Sequence, residues 1–215
     1  MTVKLISYSK GEKDESLQDI IAYTARVSNP SNQDNTETSE RLLRYLIREK
    51  HWSPFEMVSA CLEVTTTRDI ARQLLRHRSF SFQEFSQRYA DPTQDLHFLM
   101  KEARLQDTKN RQNSLDINDP DLQLDWYKQQ AEVVNAAKKS YEWAIENGIA
   151  KEQARSVLPE GIMESRLYVN GTIRSWIHYI ELRSGHGTQK EHIELARACA
   201  DVLEPVFPMI KEFCH

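Results

Sequence analysis

The chain has 215 residues, a length that suits one domain able to bury its own core, and it is 40% hydrophobic and 28% charged, as soluble globular proteins are. A formal net charge of -4 argues against a general nucleic-acid coat, which would be basic, yet a few arginines can still converge on a small anion. The three cysteines form no CxxC pair, which favours a reducing, cytoplasmic setting, and neither a signal-peptide layout nor an apolar run of ~20 residues marks export or a membrane span.

Val3 to Tyr8 reads as a strand, and Glu15 to Val27 as a helix offering Leu17, Ile20, Ile21 and Tyr23 to the core. Asn29 to Glu37 is polar, contains Pro30 and reads as a loop. Ser39 to Lys50 is amphipathic through Leu42, Leu43, Tyr45, Leu46 and Ile47 and reads as a helix. A turn over His51 to Glu56 leads into Val58 to Thr66, a strand by its β-branched content. Asp69 to His77 returns to helical spacing, and Ser79 to Tyr89 alternates aromatic and polar residues as an extended segment does. Glu102 to Leu122 is rich in Asn and Asp, carries Pro120, and reads as an insertion loop or a mobile surface excursion. Leu122 to Asn147 reads as a long helix stopping near Gly148, and Glu152 to Val157 as a short one closed by Pro159. A strand over Met163 to Val169 precedes helices over Thr172 to Arg183 and Gln189 to Val202, with a last short helix at Pro208 to Phe213. The whole is an α+β single domain, residues 1–215, with several helices packed on a mostly antiparallel sheet.

Chemistry concentrates in Arg76-His77-Arg78 and the run that follows to Tyr89. On a continuous helix Arg72 and Arg76 would share a face and repel unless an anion or carboxylate lay between them. In an extended segment Glu84, Ser86 and Arg88 would line one face, a set suited to a nucleotide's phosphate and hydroxyl groups. The bland alternative is a solvated basic helix end followed by an amphipathic strand. That account serves each residue singly better than it serves the whole run. Arg155, Arg174 and Arg183 lie among apolar residues, where surface salt bridges are the commoner explanation, although Arg183 closes a helix before the glycine-bracketed Gly185-His186-Gly187. His178 near Trp176 reads as structural on its own. His51 and Glu56 suit acid–base work, while Ser53, Pro54 and Glu56 equally suit a capping box. No HExxH pattern or His–Cys ligand spacing suggests a metal, and Cys61, Cys199 and Cys214 read as inert or terminal.

Arg76-His77-Arg78, seven residues and then Ser86 resembles the RHRxxxxxxxS signature of flavin-dependent thymidylate synthases. The resemblance extends through Ala71-Arg72-Gln73, Gln87-Arg88-Tyr89, Ala25-Arg26-Val27-Ser28, His51-Trp52-Ser53-Pro54-Phe55-Glu56, Ala154-Arg155-Ser156-Val157-Leu158-Pro159, Glu181-Leu182-Arg183 and Gln189-Lys190-Glu191, in the family's order. It implies an α+β homotetramer with active sites at subunit junctions, making dTMP from dUMP. Methylenetetrahydrofolate is then the carbon donor, and NADPH, through FAD, the reductant. Carried onto this chain, Ser53, Arg76, His77, Arg78, Glu84, Thr172, Ile173, Arg174 and His178 would contact FAD, with His51 and Glu56 lining the flavin side. Gln73, Arg76, Glu84, Phe85, Ser86, Gln87, Arg88, Arg155 and Arg183 would contact dUMP, Arg183 being the catalytic residue that stabilises charge on the uracil as N3 ionises. Gln83 replaces the family's usual asparagine, Met57 a common histidine, and Glu160 to Gly171 reads as a loop about one residue longer than the family's.

Other readings separate cleanly. The cysteine-dependent type of thymidylate synthase needs a nucleophilic cysteine, commonly after proline, and no Pro-Cys pair occurs. A non-catalytic nucleotide- or RNA-binding module would use the Arg76 to Arg88 run for phosphate contact and stacking, against which the acidic charge weighs. A helical interaction protein would leave the co-occurring blocks unexplained.

Overall fold

The computed structural model describes residues 1–215. Six strands run in chain order: β1 (Thr2–Tyr8), β2 (Ser59–Thr67), β3 (Ser81–Glu84), β4 (Arg104–Gln106), β5 (Ser114–Asp116) and β6 (Glu164–Thr172). The helices are α1 (Leu17–Ala25), α2 (Ser39–Arg48), α3 (Arg68–Leu74), α4 (Pro92–Asp95), α5 (Pro120–Glu146), α6 (Lys151–Ala154), α7 (Ile173–Ser184) and α8 (Lys190–Leu203), with short 3-10 turns between some of them. The main sheet has the order β1-β2-β6-β3 and every neighbour in it is antiparallel, as the sequence led one to expect.

Strand periodicity builds the core. Along β2, Ala60, Leu62 and Val64 are buried while Cys61, Glu63 and Thr65 between them are not; along β6, Leu167 and Val169 are buried while Arg166, Tyr168 and Asn170 are exposed. The buried face meets α1, α2, α3, α7 and α8 in one cluster of 30 apolar residues, with Trp176, Tyr179, Phe55 and Phe207 as its largest members. Trp176 can be buried because its indole N–H donates to the Ala60 carbonyl at 3.0 Å. A smaller cluster of Tyr141, Ala144, Ala154 and Leu158 holds α5 to α6. No helix is long and apolar enough to cross a membrane.

Several expectations need correction, each for a local reason. Ser16 accepts a hydrogen bond from the Asp19 N–H, so α1 begins at Leu17, and Tyr23 faces outward. Tyr45 on α2 is also exposed and packs beside Arg48 and His51 instead of in the core. Ser53 is no N-cap: the 3-10 turn Ser53–Glu56 begins after Trp52 without any side-chain cap, which removes the capping-box reading. Helix α3 stops at Leu74, so Arg76 leaves the face that carries Arg72. Strand β3 stops at Glu84, and the chain turns over Gln87 to Tyr89, so Glu84, Ser86 and Arg88 do not line one extended face.

Residues 102–122 are not an unstructured excursion. β4 and β5 pair as a hairpin whose turn is closed by Asp107, which accepts from the Lys109 and Asn110 backbone and from Asn113 Nδ2. Asp119 then caps α5 by accepting from the Leu122 N–H at 3.0 Å, with Pro120 at the first turn. The stretch read as a loop from Glu160 contains β6, which continues three residues past the expected end to Thr172.

Candidate active site

The residues singled out by sequence fall into three groups in one chain. The first sits where the Arg76-His77-Arg78 turn meets the end of α7. Arg183 Nε donates to His77 Nε2 at 2.9 Å. Because arginine has only donors, that nitrogen of His77 must carry a lone pair, which places the ring hydrogen on Nδ1. Burial, then the Arg183 and His178 charges, push the His77 pKa down to about 4. A neutral histidine therefore orients Arg183 without neutralising it. Tyr179 presents its edge to the His77 ring, 5.0 Å away, and Gln73 lies nearby through His192, which bridges Gln73 and Tyr179. Arg76 and Arg78 are exposed, beyond the end of α3.

The second group lines a cavity of about 650 Å³ between the 3-10 turn Ser53–Glu56 and α7. Ile47, Trp52, Ile177 and Phe213 give it apolar walls, while Lys50, Arg174, His178, Glu56, Glu181 and Ser79 supply polar groups. Arg174 is ion-paired to Glu56. Thr172 stands at the cavity's side as the N-cap of α7, accepting from the Ser175 N–H at 3.2 Å. Ile173 is fully buried in the core, so only its backbone is near this surface. Ser53 and His51 are exposed at the rim-forming turn but do not line the cavity.

The third group forms a cleft of about 290 Å³ between α3 and the 3-10 turn Arg155–Val157, lined by Arg68, Arg72, Gln87, Arg155, Ser156, Leu158 and Glu160. Gln87 is only 4% exposed and its Nε2 finds no acceptor; Arg68 Nε is likewise buried without a hydrogen bond, although Glu160 Oε1 stands 3.9 Å from it as an ion-pair partner. The unpaired Gln87 donor and the Arg155 guanidinium give the cleft groups that an anion could engage, while Glu160 in its wall already pairs with Arg72 and Arg68. Glu84 borders it: its Oε1 accepts from Ser165 Oγ at 2.7 Å and from Arg68 Nη1 at 3.2 Å. Arg88 pairs with Glu152 at 3.4 Å, and Arg72 with Glu160. Ser86 Oγ receives only the Arg88 N–H at 3.4 Å, with no base beside it. Phe85 is half-buried and its N–H donates to the Arg166 carbonyl.

Sequence reasoning missed Arg68, Ser79, Lys50, Trp52, Ser165, Glu160 and His192. Arg68 could have been suspected as a cation at a strand–helix junction; Ser165 and His192 give no sequence signal, since their partners lie 81 and 119 residues away. A further depression of about 320 Å³ beside α1 is rich in acidic side chains and collects none of the expected site residues. The thiols are poor nucleophiles: burial raises Cys61 and, far more, Cys199.

The chain is thus an antiparallel α+β domain with an arginine-lined cleft and a separate, larger cavity. Residues 4–209 match the model of the family described as thymidylate synthase complementing protein. The chain is 51% identical over 214 residues to the probable flavin-dependent thymidylate synthase of Paramecium bursaria Chlorella virus 1, covering 98% of this chain and 97% of that one. It is 50% identical over 216 residues to the flavin-dependent thymidylate synthase of Synechocystis sp., with the same two coverages. In structure it resembles a UMP/dUMP methylase, PolB from Streptomyces cacaoi, solved with 5-Br dUMP, at a TM-score of 0.79 and 26% identity over 99% of this chain and 93% of that one. The chain belongs to the flavin-dependent thymidylate synthase family.

Proposed function

We propose that the chain, acting as one domain over residues 1–215, methylates dUMP reductively to dTMP in the cytoplasm, using methylenetetrahydrofolate as carbon donor and NADPH as reductant. The observation that carries this reading is Arg183, a cation oriented by the neutral His77 through a 2.9 Å hydrogen bond and matched by no carboxylate. Beside uracil such a cation stabilises the charge that develops as N3 ionises, and C5 gains the nucleophilicity needed to capture a one-carbon unit. Gln73, Arg76, Glu84, Phe85, Ser86, Gln87, Arg88 and Arg155 hold the nucleotide. The orphaned donor of Gln87 beside Arg155 suits its phosphate. Ser86, without a base beside it, serves as a ligand.

FAD fits the residues present: the apolar wall of Trp52 and Ile177 suits a planar ring, and Lys50, Arg174 and His178 suit its phosphates. Bound there, it supplies the reducing equivalents that NADPH delivers. Arg174, His178 and Glu56 line that cavity and would hold it there, whereas Ser53, His51, Arg76, His77, Arg78, Glu84, Thr172 and Ile173 lie outside the cavity in one chain and would reach FAD only beyond its rim or across a junction between chains.

A homotetramer with shared active sites accounts for two features. Gln87 and Arg155 line one cleft while Gln73 and Arg183 stand in another group, so one chain leaves the nucleotide residues divided. Helix α5 also exposes Leu122, Leu124, Trp126, Tyr127, Val133 and Trp143, an apolar surface that a partner chain would cover.

The test is spectroscopic. Purified protein should be yellow, with a flavin spectrum that NADPH bleaches, and Arg183→Ala should keep that spectrum while dTMP formation falls by about 100-fold or more. Colourless protein that FAD cannot reconstitute would sink the enzyme reading, and wild-type turnover by Arg183→Ala would refute the role of Arg183.

A further inference from the structure

Behind Gln73 runs a chain of hydrogen bonds that none of the roles above uses. Gln189 Nε2 donates to Glu191 Oε2 at 2.9 Å, and Gln73 Nε2 donates to Gln189 Oε1 at 2.8 Å. Gln73 Oε1 lies 3.2 Å from His192 Nδ1, and His192 Nε2 lies 3.1 Å from the Tyr179 hydroxyl. His192 and Tyr179 are wholly buried, so each needs its partner.

One end of this chain fixes the direction of every bond. The other oxygen of Glu191 is held by Arg104. Burial alone would raise the Glu191 carboxyl, but the bonds from Arg104, its own backbone N–H and Gln189 hold it below the usual range, so it stays ionised. A carboxylate only accepts. Gln189 must therefore turn its NH2 toward Glu191 and its carbonyl toward Gln73. Gln73 must turn its NH2 toward Gln189 and its carbonyl toward His192. His192 then carries its hydrogen on Nδ1 and accepts from the Tyr179 O–H at Nε2. Burial, then the Arg183 and His77 charges, push the His192 pKa to about 3, so the ring has a single hydrogen and the chain has no second solution.

We propose that this chain is a specificity device of the nucleotide site: Glu191, through Gln189 and with His192 and Tyr179 as the far stop, fixes the Gln73 carboxamide so that its remaining N–H faces the pyrimidine and selects a ring carbonyl over a ring amino group. The proposal rests on the reading of Gln73 as a nucleotide contact. Gln73 Nε2 has two hydrogens and Gln189 uses one. A flipped carboxamide would present an acceptor and welcome the exocyclic amino group of cytosine. Gln73 belongs to the base side because Tyr179 joins it, through His192, to the His77 ring and so to Arg183, whereas the phosphate-suited donors line the other cleft. Glu191, Gln189, His192 and Tyr179 are positioning residues, since none of them is read as touching the nucleotide.

The experiment measures dUMP and dCMP dissociation constants on the FAD-loaded protein. Glu191→Gln keeps the shape of the side chain but can offer Gln189 either a donor or an acceptor. It should narrow the dUMP-to-dCMP preference by about ten-fold or more. Tyr179→Phe combined with His192→Leu replaces the buried polar pair by apolar groups, which guards against misfolding, and should narrow the preference likewise. General loosening would weaken both ligands together and leave the ratio intact, and an unchanged ratio in both variants overturns the proposal. Gln73→Ala separates the two ideas: weakened dUMP binding sustains the contact reading, whereas wild-type dUMP binding overturns that reading and the proposal with it.

Discussion

Arg183 and the two histidines near it show how burial sets charge one residue at a time. His77 and His192 are held neutral, with pKa values of about 4 and about 3 against an ordinary 6.5. Below pH 6.5 the unfolded chain takes up protons that the folded chain refuses. Their stabilising effect is therefore complete above pH 6.5 and is lost as pH falls toward 4 for His77 and toward 3 for His192, at up to ~1.4 kcal/mol per pH unit for each histidine. Chemical unfolding measured across that window should show a steep acid limb. The Tyr179→Phe/His192→Leu protein should show a limb shallower by about one histidine's share, and equal slopes in the two proteins would contradict the buried, neutral state of His192. At this scale the sequence was legible in part. The Arg76 to Ser86 run pointed to an anionic ligand, yet the arginine-lined cleft is built by Arg68, Arg72, Gln87 and Arg155, all outside it, and the pairing of Arg183 with His77 spans 106 residues and only the fold reveals it.

Elements were legible where periodicity and caps agreed and misread where a pattern ran past its physical end. Leu75 continues the apolar spacing of α3, so the pattern overshoots a helix whose last residue is Leu74. Asp107 and Asp119 look like loop residues by composition, yet one closes a hairpin and the other caps a long helix, because carboxylates do both jobs through the same short-range bonds. Strand β6 hides its length behind Gly171, which weakens strand propensity but permits a close approach. A Cβ there would stand 2.2 Å from Phe80 Cδ1, and the Phe80 ring is wedged against Trp176 and Tyr179 at 4.6 and 5.8 Å between centroids. Gly171→Ala should therefore cost about 1–3 kcal/mol in urea unfolding, by overpacking. An unchanged midpoint would show that Phe80 yields freely.

At the scale of the whole molecule, the division of the nucleotide residues between groups makes a prediction about assembly. Arg155→Ala and Arg183→Ala should each abolish activity alone. Mixed after unfolding and co-refolding, they should recover roughly a quarter of wild-type activity, the share of junctions that inherit one intact residue from each chain. No recovery would place both arginines in one chain's site. The single α+β layer arrangement was readable from alternating and helical spacing, whereas the placing of Arg155 and Arg183 in different groups was not, since spacing along a chain does not state which residues become neighbours in space. The buried, unpaired donor of Gln87 has one more consequence. A polar group shut away from water without a partner weakens the fold that encloses it by about 1–3 kcal/mol. The cleft thus couples thermal endurance to occupancy: inorganic phosphate, as an acceptor for that donor, should raise the melting temperature of the wild-type chain and raise that of Gln87→Leu less, so that the anion in the buffer sets part of how long the protein survives heat.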